Sequence, residues 1–326
     1  MKAWQVRELG EPSEVLELVE VAEPVCASDG IVVTVDAVGL NFPDLLMCQG
    51  KYQERPELPF TPGLEISGTI IEVGERSGSR IGDRVYGSPG LPRGGCAERA
   101  ALSAWFPTPP GMSQDAASAW FVTYQTGYVA LHDRAQLQAG ETLLVHAGAG
   151  GVGTAAIQLG KAAGAFVIAT AGGPEKVGVC LKMGADAAID YNADDVVARV
   201  KELTSGKGAD VIFDPVGGDI FDLSTKCVAF AGRILIIGFA GGRIASAATN
   251  HLLVKNYSIV GVHWGLYRSK APAVIVDTSA RLAELWLSGS IDPFVGETVP
   301  MDDFPAALER LGSRASIGKI VLHPNS

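Results

Sequence analysis

A glycine-rich turn between an apolar segment and a helix-forming segment is the part of this sequence best suited to bind a phosphate. Residues 142–146 form an apolar run of strand length, Gly148, Gly150 and Gly153 follow with the spacing G-x-G-x-x-G, and residues 154–162 favour a helix. Glycines permit a tight turn and a close approach of the backbone to a pyrophosphate, and a helix N-terminus supplies free N–H groups. The pattern indicates either a dinucleotide site or a turn of small residues that packs a helix on a strand. The residues assigned to the dinucleotide site are Ala149, Gly150, Gly151, Val152 and Gly153.

The end of the next apolar run bears on which dinucleotide binds. Domains that prefer NAD place an acidic residue there, about 20 residues after the glycine turn, to bind the ribose 2′-hydroxyl. Residues 169–173 contain no acid, and Lys176 follows on the next predicted helix. Thr170, Gly173 and Lys176 are therefore assigned to a pocket for a 2′-phosphate, which predicts NADPH. Asp190 is a nearby negative charge whose side chain we expect to point away, and Lys176 is alternatively an ordinary solvated lysine.

From residue 142 onward, short apolar runs alternate with helix-compatible segments. Because such alternation produces right-handed βαβ crossovers, it predicts a parallel sheet buried on both faces. Six runs suffice for a doubly wound Rossmann domain. The runs are 143–146, 166–170, 187–190, 211–214, 233–238 and 259–262.

The first 120 residues have a different pattern. Alternating apolar residues at 31–38 and 66–73 predict strands, and the connections are long and contain Gly and Pro, so this part is expected to be β-rich. A mostly helical segment, 116–131, is expected to carry the chain into the parallel-sheet domain. After about residue 265 the alternation of strands and helices stops, and a last strand at 319–322 is expected to return to the first domain.

Composition narrows the classes of protein to consider. Of the 326 residues, 47% are apolar and 19% are charged, which is typical of globular domains. The formal net charge of −10 argues against nucleic-acid binding. No stretch of about 18 residues lacks charged or strongly polar groups, so no membrane span is expected. The five cysteines are scattered without C-x-x-C spacing and the first residues are charged and alternating, which together predict a cytoplasmic protein without a cysteine metal site.

Several motifs in a fixed order extend over nearly the whole chain. They are 38–44, 62–68, 122–128, the glycine turn, 214–218 and 318–322. With these motifs the sequence resembles the zinc-free quinone oxidoreductases of the medium-chain dehydrogenase/reductase superfamily, the group that includes ζ-crystallin. The resemblance implies an α/β protein in which residues 1–122 and 265–326 form a β-rich, GroES-like catalytic domain and residues 123–264 form the Rossmann domain. It also implies an active site in the cleft between the domains and a homodimer.

The positions that bind zinc in related dehydrogenases carry other residues here. The zinc alcohol dehydrogenases of this superfamily have a cysteine and a histidine where this sequence has Asn41 and Leu64. A carboxamide is a poor Zn²⁺ ligand and leucine is none, and a catalytic zinc needs about three protein ligands. The four-cysteine structural loop is also missing, since Cys96 has no cysteine nearby in the sequence. We therefore expect no metal, and hydride transfer to an acceptor that needs little activation.

Asn41, Asp44 and Tyr52 are the polar residues expected around the acceptor and the nicotinamide, and they are the predicted catalytic residues. The Tyr52 phenol and the Asn41 carboxamide can each donate a hydrogen bond to a developing oxyanion, and Asn41 can instead hold the cofactor. Asn41 or Asp44 is alternatively a cap of the helix that Pro43 favours, and Tyr52 is alternatively a surface residue. Leu46 occupies a position where the resembling family often has a second tyrosine, which makes the pocket more apolar.

The resemblance supplies the remaining cofactor contacts. Thr126 matches a threonine that reaches the nicotinamide carboxamide, and Lys319 matches a C-terminal lysine close to the cofactor. Tyr191 matches a tyrosine that lines the 2′-phosphate pocket, and Val216 lies in an Asp-Pro-Val-Gly turn near the adenosine side. The loop expected over the nicotinamide includes Gly238, Phe239 and Ala240.

These features predict a zinc-independent enzyme that uses NADPH to reduce quinones. The alternative within enzymes is a reductase of α,β-unsaturated carbonyls or enoyl thioesters, because these acceptors also take hydride at a polarised conjugated centre. The acidic chain offers little basic surface for coenzyme A or a carrier protein, which favours quinones and small enones. The alternative of another class is an NADPH-binding protein without important turnover, comparable to relatives that serve as lens crystallins or bind RNA, and the acidic charge argues against the RNA role.

Overall fold

The chain crosses from one structural unit to another after residue 122 and returns after residue 292. The computed structural model describes residues 1–325. Unit 1 comprises Met1–Val122 and Pro293–Ser326, and unit 2 comprises Thr123–Asp292.

The first part of unit 1 is dominated by β-strands. Its strands are β1 (Lys2–Val6), β2 (Leu16–Glu20), β3 (Ile31–Gly39), β4 (Ile66–Val73), β5 (Arg84–Gly87), β6 (Arg99–Leu102) and β7 (Trp105–Pro107). Its helices are α1 (Pro12–Val15), α2 (Phe42–Cys48) and α3 (Gln114–Ser118). The antiparallel pair β3 and β4 forms the centre of the core, because apolar residues such as Val33, Val35 and Ile66 are fully buried there.

Unit 2 contains the parallel sheet that the alternating sequence pattern predicts. Its strands are β8 (Thr142–Val145), β9 (Phe166–Ala171), β10 (Ala187–Asp190), β11 (Ala209–Asp214), β12 (Val228–Ile236) and β13 (Ser258–Gly261). Within residues 123–292 these six strands are paired in parallel in the order β10-β9-β8-β11-β12-β13. This is the order of a doubly wound Rossmann sheet, so the predicted six-stranded parallel sheet is confirmed.

The helices of unit 2 lie between and after these strands in the chain. They are α4 (Phe121–Tyr128), which begins at the junction of the two units, α5 (Gly151–Ala162), α6 (Pro174–Lys182), α7 (Val196–Leu203), α8 (Gly218–Cys227), α9 (Thr249–Lys255), α10 (Tyr267–Lys270) and α11 (Pro272–Leu287). The short helical turns are a π-helical turn at Val129–Arg134 and a 3₁₀ turn at Trp264–Leu266.

The segment 116–131, predicted as one mostly helical segment, is divided in the structure. α3 ends at Ser118 and α4 begins at Phe121. Between them Trp120 is fully buried, with its ring edge-on to Tyr86 at a centroid distance of 6.4 Å. Packing of this large side chain in the core of unit 1 accompanies the interruption, which local helix propensity does not reveal.

The end of the chain completes unit 1 with β14 (Val295–Pro300), α12 (Phe304–Gly312) and β15 (Lys319–His323). β15 pairs in antiparallel fashion with β3, with Val321 opposite Gly39. The sequence pattern placed the return to the first domain at residue 265, where the strand–helix alternation stops. In the structure α11 stays in unit 2, because Gln125 Nε2 on α4 donates to the carbonyl oxygen of Ile275 at 3.0 Å and to Oγ of Ser279 at 2.7 Å.

In the described part of the chain, residues 1–325, no helix has both the length and the apolar character needed to cross a membrane.

Candidate functional site

The glycine turn lies at the carboxyl end of β8, where the chain enters α5. This helix begins at Gly151, directly after Gly150, and no side chain caps its N-terminus. A Cβ atom at Gly153 would lie 2.2 Å from the carbonyl oxygen of Ala147 and 2.8 Å from Cα of Gly148, distances at which the backbone would have to move. Only glycine permits this approach. This geometry packs the first turn of α5 closely against the residues that precede it.

This turn meets the requirements for holding a pyrophosphate. The assigned residues Ala149, Gly150, Gly151, Val152 and Gly153 form the turn and the first turn of α5, which contains no acidic side chain. Because α5 is 12 residues long, its free N–H groups and its dipole favour an anion at this end. β8 also lies beside β11, where the strand order reverses, and ligands of doubly wound sheets bind beyond the carboxyl ends of the strands at that point.

The loop after β9 forms a second part of the candidate site. The side chain of Asp190 is oriented differently there from what the sequence analysis expected. The ring of Tyr191 lies against Gly172, since a Cβ atom there would be 2.6 Å from the phenol oxygen. Tyr191 is 44% exposed, and Lys176 is half-buried in the first turn of α6. Asp190 does not point away from this loop as expected, because its Oδ1 accepts a hydrogen bond from the N–H of Gly173 at 2.9 Å. The Asp190 carboxylate therefore orders the loop before α6, and the N–H of Gly173 is already used in this hydrogen bond.

The side chain of Thr170 faces the interior of unit 2, and the assignment of this residue to the cofactor site stays a prediction. Its hydroxyl lies 3.0 Å from Nδ1 of His146, whose Nε2 lies 3.0 Å from the hydroxyl of Ser224. The carbonyl oxygen of Thr170 accepts the N–H of Gly148 at 2.9 Å, so this residue supports the glycine turn from behind. Burial lowers the pKa of His146 to about 4, although the nearby carboxylate of Asp214 opposes the shift. The imidazole is therefore neutral at pH 7.

The turn after β11 contacts the loop that was predicted to cover the nicotinamide. Oδ1 of Asp214 accepts the N–H groups of Val216 and Gly217, each at 2.9 Å. A Cβ atom at Gly217 would lie 3.0 Å from the ring of Phe239, and the N–H of Ala240 donates to the carbonyl oxygen of the proline before Val216 at 3.1 Å. The structure thus brings Val216 and the loop of residues 238–240 together within unit 2.

Thr126 lies on α4, with 8% of its surface exposed. Its neighbour Gly127 packs closely on α5, because a Cβ atom at Gly127 would lie 2.8 Å from Cδ1 of Leu159. Thr126 is therefore on a helix that runs against the helix of the glycine turn. Its predicted contact with the nicotinamide stays a prediction.

A buried cluster of charged and polar side chains joins both ends of the unit 1 sequence. Nζ of Lys319, the first residue of β15, donates to Oε1 of Glu65 at 2.6 Å and to Oδ1 of Asn41 at 2.9 Å. Its third hydrogen bond goes to the carbonyl oxygen of Leu40 at 2.7 Å. Nδ2 of Asn41 donates to Oε1 of Glu65 and to the carbonyl oxygen of Gly39, both at 2.9 Å. Glu65 is completely buried and Lys319 is 4% exposed, so the two charges neutralise each other away from water.

Glu65 belongs to this cluster and is absent from the residues predicted from the sequence. Its second oxygen, Oε2, accepts the N–H of Val122 at 2.7 Å and so caps the first turn of α4. The signal for it was present: an acidic residue next to buried Ile66 and a lysine at the start of an apolar strand near the C-terminus. Two such charges are expected to pair, because an unpaired charge in a core is costly.

Asp44 is fully buried, and the structure favours the capping alternative for it. Its Oδ2 accepts the N–H of Asn41 at 2.8 Å, and its Oδ1 accepts the N–H of Gly63 at 3.0 Å. Burial raises the pKa of Asp44 to about 6, while the two backbone hydrogen bonds and the charge of Lys319 oppose the shift. Asp44 exposes no surface and each of its oxygens accepts a backbone hydrogen bond, which supports a structural role at the start of α2, and its assignment as a catalytic residue stays a prediction.

Tyr52, which follows α2, is half-buried against the core of unit 1. This packing argues against the alternative of a surface tyrosine that contacts only solvent. Its proposed action on an acceptor is not tested by this contact and stays a prediction.

Among residues 1–325, no three His, Cys, Asp or Glu side chains are grouped so that they could hold a metal ion. Leu64 packs in the core of unit 1, and the ammonium of Lys319 already lies 2.9 Å from Oδ1 of Asn41. A cation at Asn41 would therefore meet a fixed positive charge.

Comparison with known proteins extends these observations. The alcohol dehydrogenase GroES-like domain matches residues 27–130, and the zinc-binding dehydrogenase domain matches residues 151–280. The quinone oxidoreductase-like protein 2 homolog of Nematostella vectensis is 40% identical over 295 residues, which cover 89% of this chain and 80% of that protein. The quinone oxidoreductase of Lama guanicoe is 33% identical, with 99% of this chain and 97% of that protein covered.

A solved structure matches the entire described architecture. The crystal structure of Escherichia coli quinone oxidoreductase complexed with NADPH has a TM-score of 0.91 and 31% sequence identity, with 99% of this chain and 100% of that chain covered. Together with the matched domains, this likeness confirms the predicted fold class of a GroES-like domain and a Rossmann domain.

The buried imidazole of His146 predicts a loss of stability in acid. Its folded-state pKa of about 4 lies below the ordinary value of 6.5, so the unfolded chain takes up a proton first as the pH falls through that interval. The contribution of the neutral His146 imidazole to the free energy of unfolding is complete above pH 6.5. About 2 kcal/mol of this contribution is lost between pH 7.5 and pH 5. Urea unfolding at the two pH values should show that His146→Gln loses less stability in acid than the wild type. Ser224→Ala keeps the buried imidazole and should retain the wild-type pH dependence; equal pH dependence in His146→Gln and the wild type contradicts the prediction.

Proposed function

Because the chain belongs to the quinone oxidoreductase branch of the medium-chain dehydrogenase/reductase superfamily, and is therefore an oxidoreductase, we propose that it reduces quinones with NADPH and without a metal ion. The observation that carries the proposal is the uncapped glycine turn at the start of α5, which lies at the reversal of the strand order. A dinucleotide is the ligand that this geometry favours.

The choice of NADPH over NADH rests on charge at the end of β9. The strand ends at Ala171 without an acidic residue, and Lys176 follows in the first turn of α6. A 2′-phosphate can pair with this ammonium and with the exposed Tyr191 phenol. Asp190 is the opposing charge, but one of its oxygens is held by the backbone of Gly173. The solved Escherichia coli relative was crystallised with NADPH, which supports the same choice.

The choice of a quinone rests on what the acceptor site lacks. Asn41 and Leu64 replace the cysteine and histidine of zinc dehydrogenases, so no Lewis acid is available to polarise a simple carbonyl. A quinone accepts hydride without such help. Enones and enoyl thioesters are polarised in a similar way and are the alternative acceptors. The cytoplasmic location and the homodimer predicted from the sequence stay predictions.

The proposed mechanism needs few protein groups. When bound, NADPH supplies the hydride. Tyr52 donates a hydrogen bond to the quinone oxygen that gains negative charge, and this interaction is stronger in the transition state than in the ground state. A proton from water then completes the hydroquinone. The glycine turn fixes the pyrophosphate, and its positive helix end offsets the phosphate charge.

The first prediction of this function concerns the cofactor. NADPH should bind at least about tenfold more tightly than NADH, a difference of about 1.4 kcal/mol, because the 2′-phosphate pairs with Lys176. Fluorescence titration of both cofactors measures the difference, and Lys176→Ala should reduce it. Lys182→Ala removes the same charge from the last turn of α6 and serves as the control. Equal constants for the two cofactors, or an unaltered preference in Lys176→Ala, would show that the 2′-phosphate lies elsewhere.

The second prediction concerns metal. Quinone reduction should survive prolonged dialysis against a chelator, because Asn41 and Leu64 cannot supply zinc ligands. Elemental analysis of the same sample should find less than one metal ion per chain. Loss of activity together with loss of one zinc per chain, and recovery on adding zinc, would refute metal independence.

The third prediction concerns Tyr52. Tyr52→Phe should lower kcat for quinones roughly tenfold, equivalent to about 1 to 2 kcal/mol, because a single hydrogen-bond donor to a good acceptor is lost. The NADPH dissociation constant of the same variant is the internal control and should not change. Wild-type turnover with normal NADPH binding would mean that Tyr52 does not assist the acceptor.

A further inference from the structure

The side chain of Asp190 ties the end of β10 to the start of α6. Its Oδ1 atom accepts the N–H of Gly173 at 2.9 Å and the N–H of Asn192 at 3.0 Å. Gly173 directly precedes α6, and Asp190 lies opposite Ala171, the last residue of β9, in the parallel pairing of β9 with β10. The carboxylate is therefore built into the loop that follows β9.

The hydrogen-bonding role of Asp190 does not require a negative charge. A carboxamide oxygen has two lone pairs and can accept two N–H groups, as one carboxylate oxygen does here. Among residues 1–325, no group donates a hydrogen bond to Oδ2 of Asp190, and no cationic side chain forms an ion pair with it. The charge of Asp190 is thus neither needed by its hydrogen bonds nor neutralised by this part of the chain.

This charge lies within the part of unit 2 that is assigned to the 2′-phosphate. The next residue, Tyr191, packs its ring against Gly172, and Lys176 lies three residues after Gly173 in the first turn of α6. Asp190 is therefore joined to the pocket twice, through the chain to Tyr191 and through its hydrogen bond to Gly173. Charges closer than about 10 Å are incompletely screened at 0.1 M salt, so a phosphate bound by Lys176 and Tyr191 interacts with the carboxylate.

The sign of this interaction distinguishes the two cofactors. A phosphate monoester carries about −1.5 to −2 charges at pH 7, whereas the 2′-hydroxyl of NADH is neutral. The Asp190 carboxylate therefore raises the free energy of bound NADPH and leaves the free energy of bound NADH unchanged. Lys176 acts in the opposite direction, so the preference for NADPH is the difference between these two effects.

We propose that Asp190 is a specificity-determining residue whose negative charge limits the preference for NADPH over NADH. The inference rests on the proposed function, because it requires the 2′-phosphate of the cofactor to bind beside Lys176. Asp190 acts on this phosphate through its charge and makes no contact with the cofactor. Removing the charge while keeping the two backbone hydrogen bonds should make the protein more selective for NADPH.

The test compares two ligands that differ only in the 2′-phosphate. Adenosine 2′,5′-bisphosphate and 5′-AMP represent the adenosine half of each cofactor, and isothermal titration calorimetry measures both dissociation constants. Asp190→Asn should bind the bisphosphate about fivefold more tightly than the wild type does and should bind 5′-AMP equally well. The ratio of the NADPH and NADH dissociation constants should change by the same factor. In about 1 M salt, where the screening length is about 3 Å, the gain should shrink.

Asp195→Asn is the matched control. Asp195 is the N-cap of α7, where its side chain accepts the N–H of Ala198 at 3.1 Å, and asparagine caps a helix about as well as aspartate does. This variant loses the same charge from the loop before α7 and should keep the wild-type ratio of the two ligands.

A double-mutant cycle shows which group Asp190 acts on. In the Lys176→Ala background, Asp190→Asn should still bind the bisphosphate about fivefold more tightly, because the carboxylate repels the phosphate itself. If the gain disappears in this background, Asp190 acts by weakening Lys176, and the inference is wrong.

The remaining outcomes separate the inference from the proposed function. If the wild type binds neither NADPH nor the bisphosphate, both are wrong. If the wild type prefers NADPH and Asp190→Asn keeps the wild-type ratio, or Asp195→Asn shows an equal gain, the inference alone is wrong. Weaker binding of 5′-AMP and NADH by Asp190→Asn also refutes it, because Asp190 would then be a direct ligand of the ribose. A wild type that prefers NADH, with the fivefold gain in Asp190→Asn, refutes the proposed cofactor and supports the inference.

A second variant covers a failure of folding. If circular dichroism shows that Asp190→Asn does not fold, Asp190→Ser replaces it in every comparison, because a hydroxyl oxygen also accepts backbone N–H groups and carries no charge. The same gain for the bisphosphate is expected, and an unchanged ratio contradicts the inference.

Discussion

The buried ion pair between Lys319 and Glu65 is the constraint on which the packing of unit 1 around Asn41 depends. Taking two charges out of water costs several kcal/mol for each ion, and the cost is offset only if the pair has good geometry and its remaining hydrogen-bonding groups are satisfied. Here Asn41 and backbone groups satisfy them. Removing either charge would leave the other buried and unpaired. The pair therefore ties β15, from the end of the chain, to residues near positions 40 and 65, and it fixes the side chain that lies between them.

In unit 2 the corresponding constraint is steric rather than electrostatic. The first turn of α5 approaches Ala147 so closely that a single methyl group at Gly153 would displace the backbone. The approach leaves the N-terminal N–H groups of α5 at the carboxyl edge of the sheet, where an anion can reach them. His146, Thr170 and Ser224 fill the space behind the turn with a neutral hydrogen-bonded chain. The polar residues of this unit thus divide into those that support the turn from inside and those that stay exposed around it.

The same division explains why several residues with suitable chemistry do not act directly. Asp44, Asp190 and Asp214 each hold two backbone N–H groups, so they order the start of α2, the loop before α6 and the turn after β11. A carboxylate that accepts two backbone hydrogen bonds stabilises the loop or helix start to which those N–H groups belong. Tyr52, Lys176 and Tyr191 differ from these acids because part of each side chain remains exposed.

The sequence by itself determined the parallel sheet, the glycine turn and the absence of an acid at the end of β9. These features depend on periodicity and spacing along a short stretch of chain, which the sequence displays directly. It did not reveal that Thr170 faces inward, that α11 stays in unit 2, or that Lys319 pairs with Glu65. In a strand, the side chain of Thr170 can point to either face of the sheet. It points inward because it contacts His146, and the second contact of His146, Ser224, lies far along the chain. Likewise, Lys319 and Glu65 are 254 positions apart. Only the pairing of β15 with β3 brings those residues together, so their hydrogen bonds to each other and to Asn41 were decided by the tertiary structure.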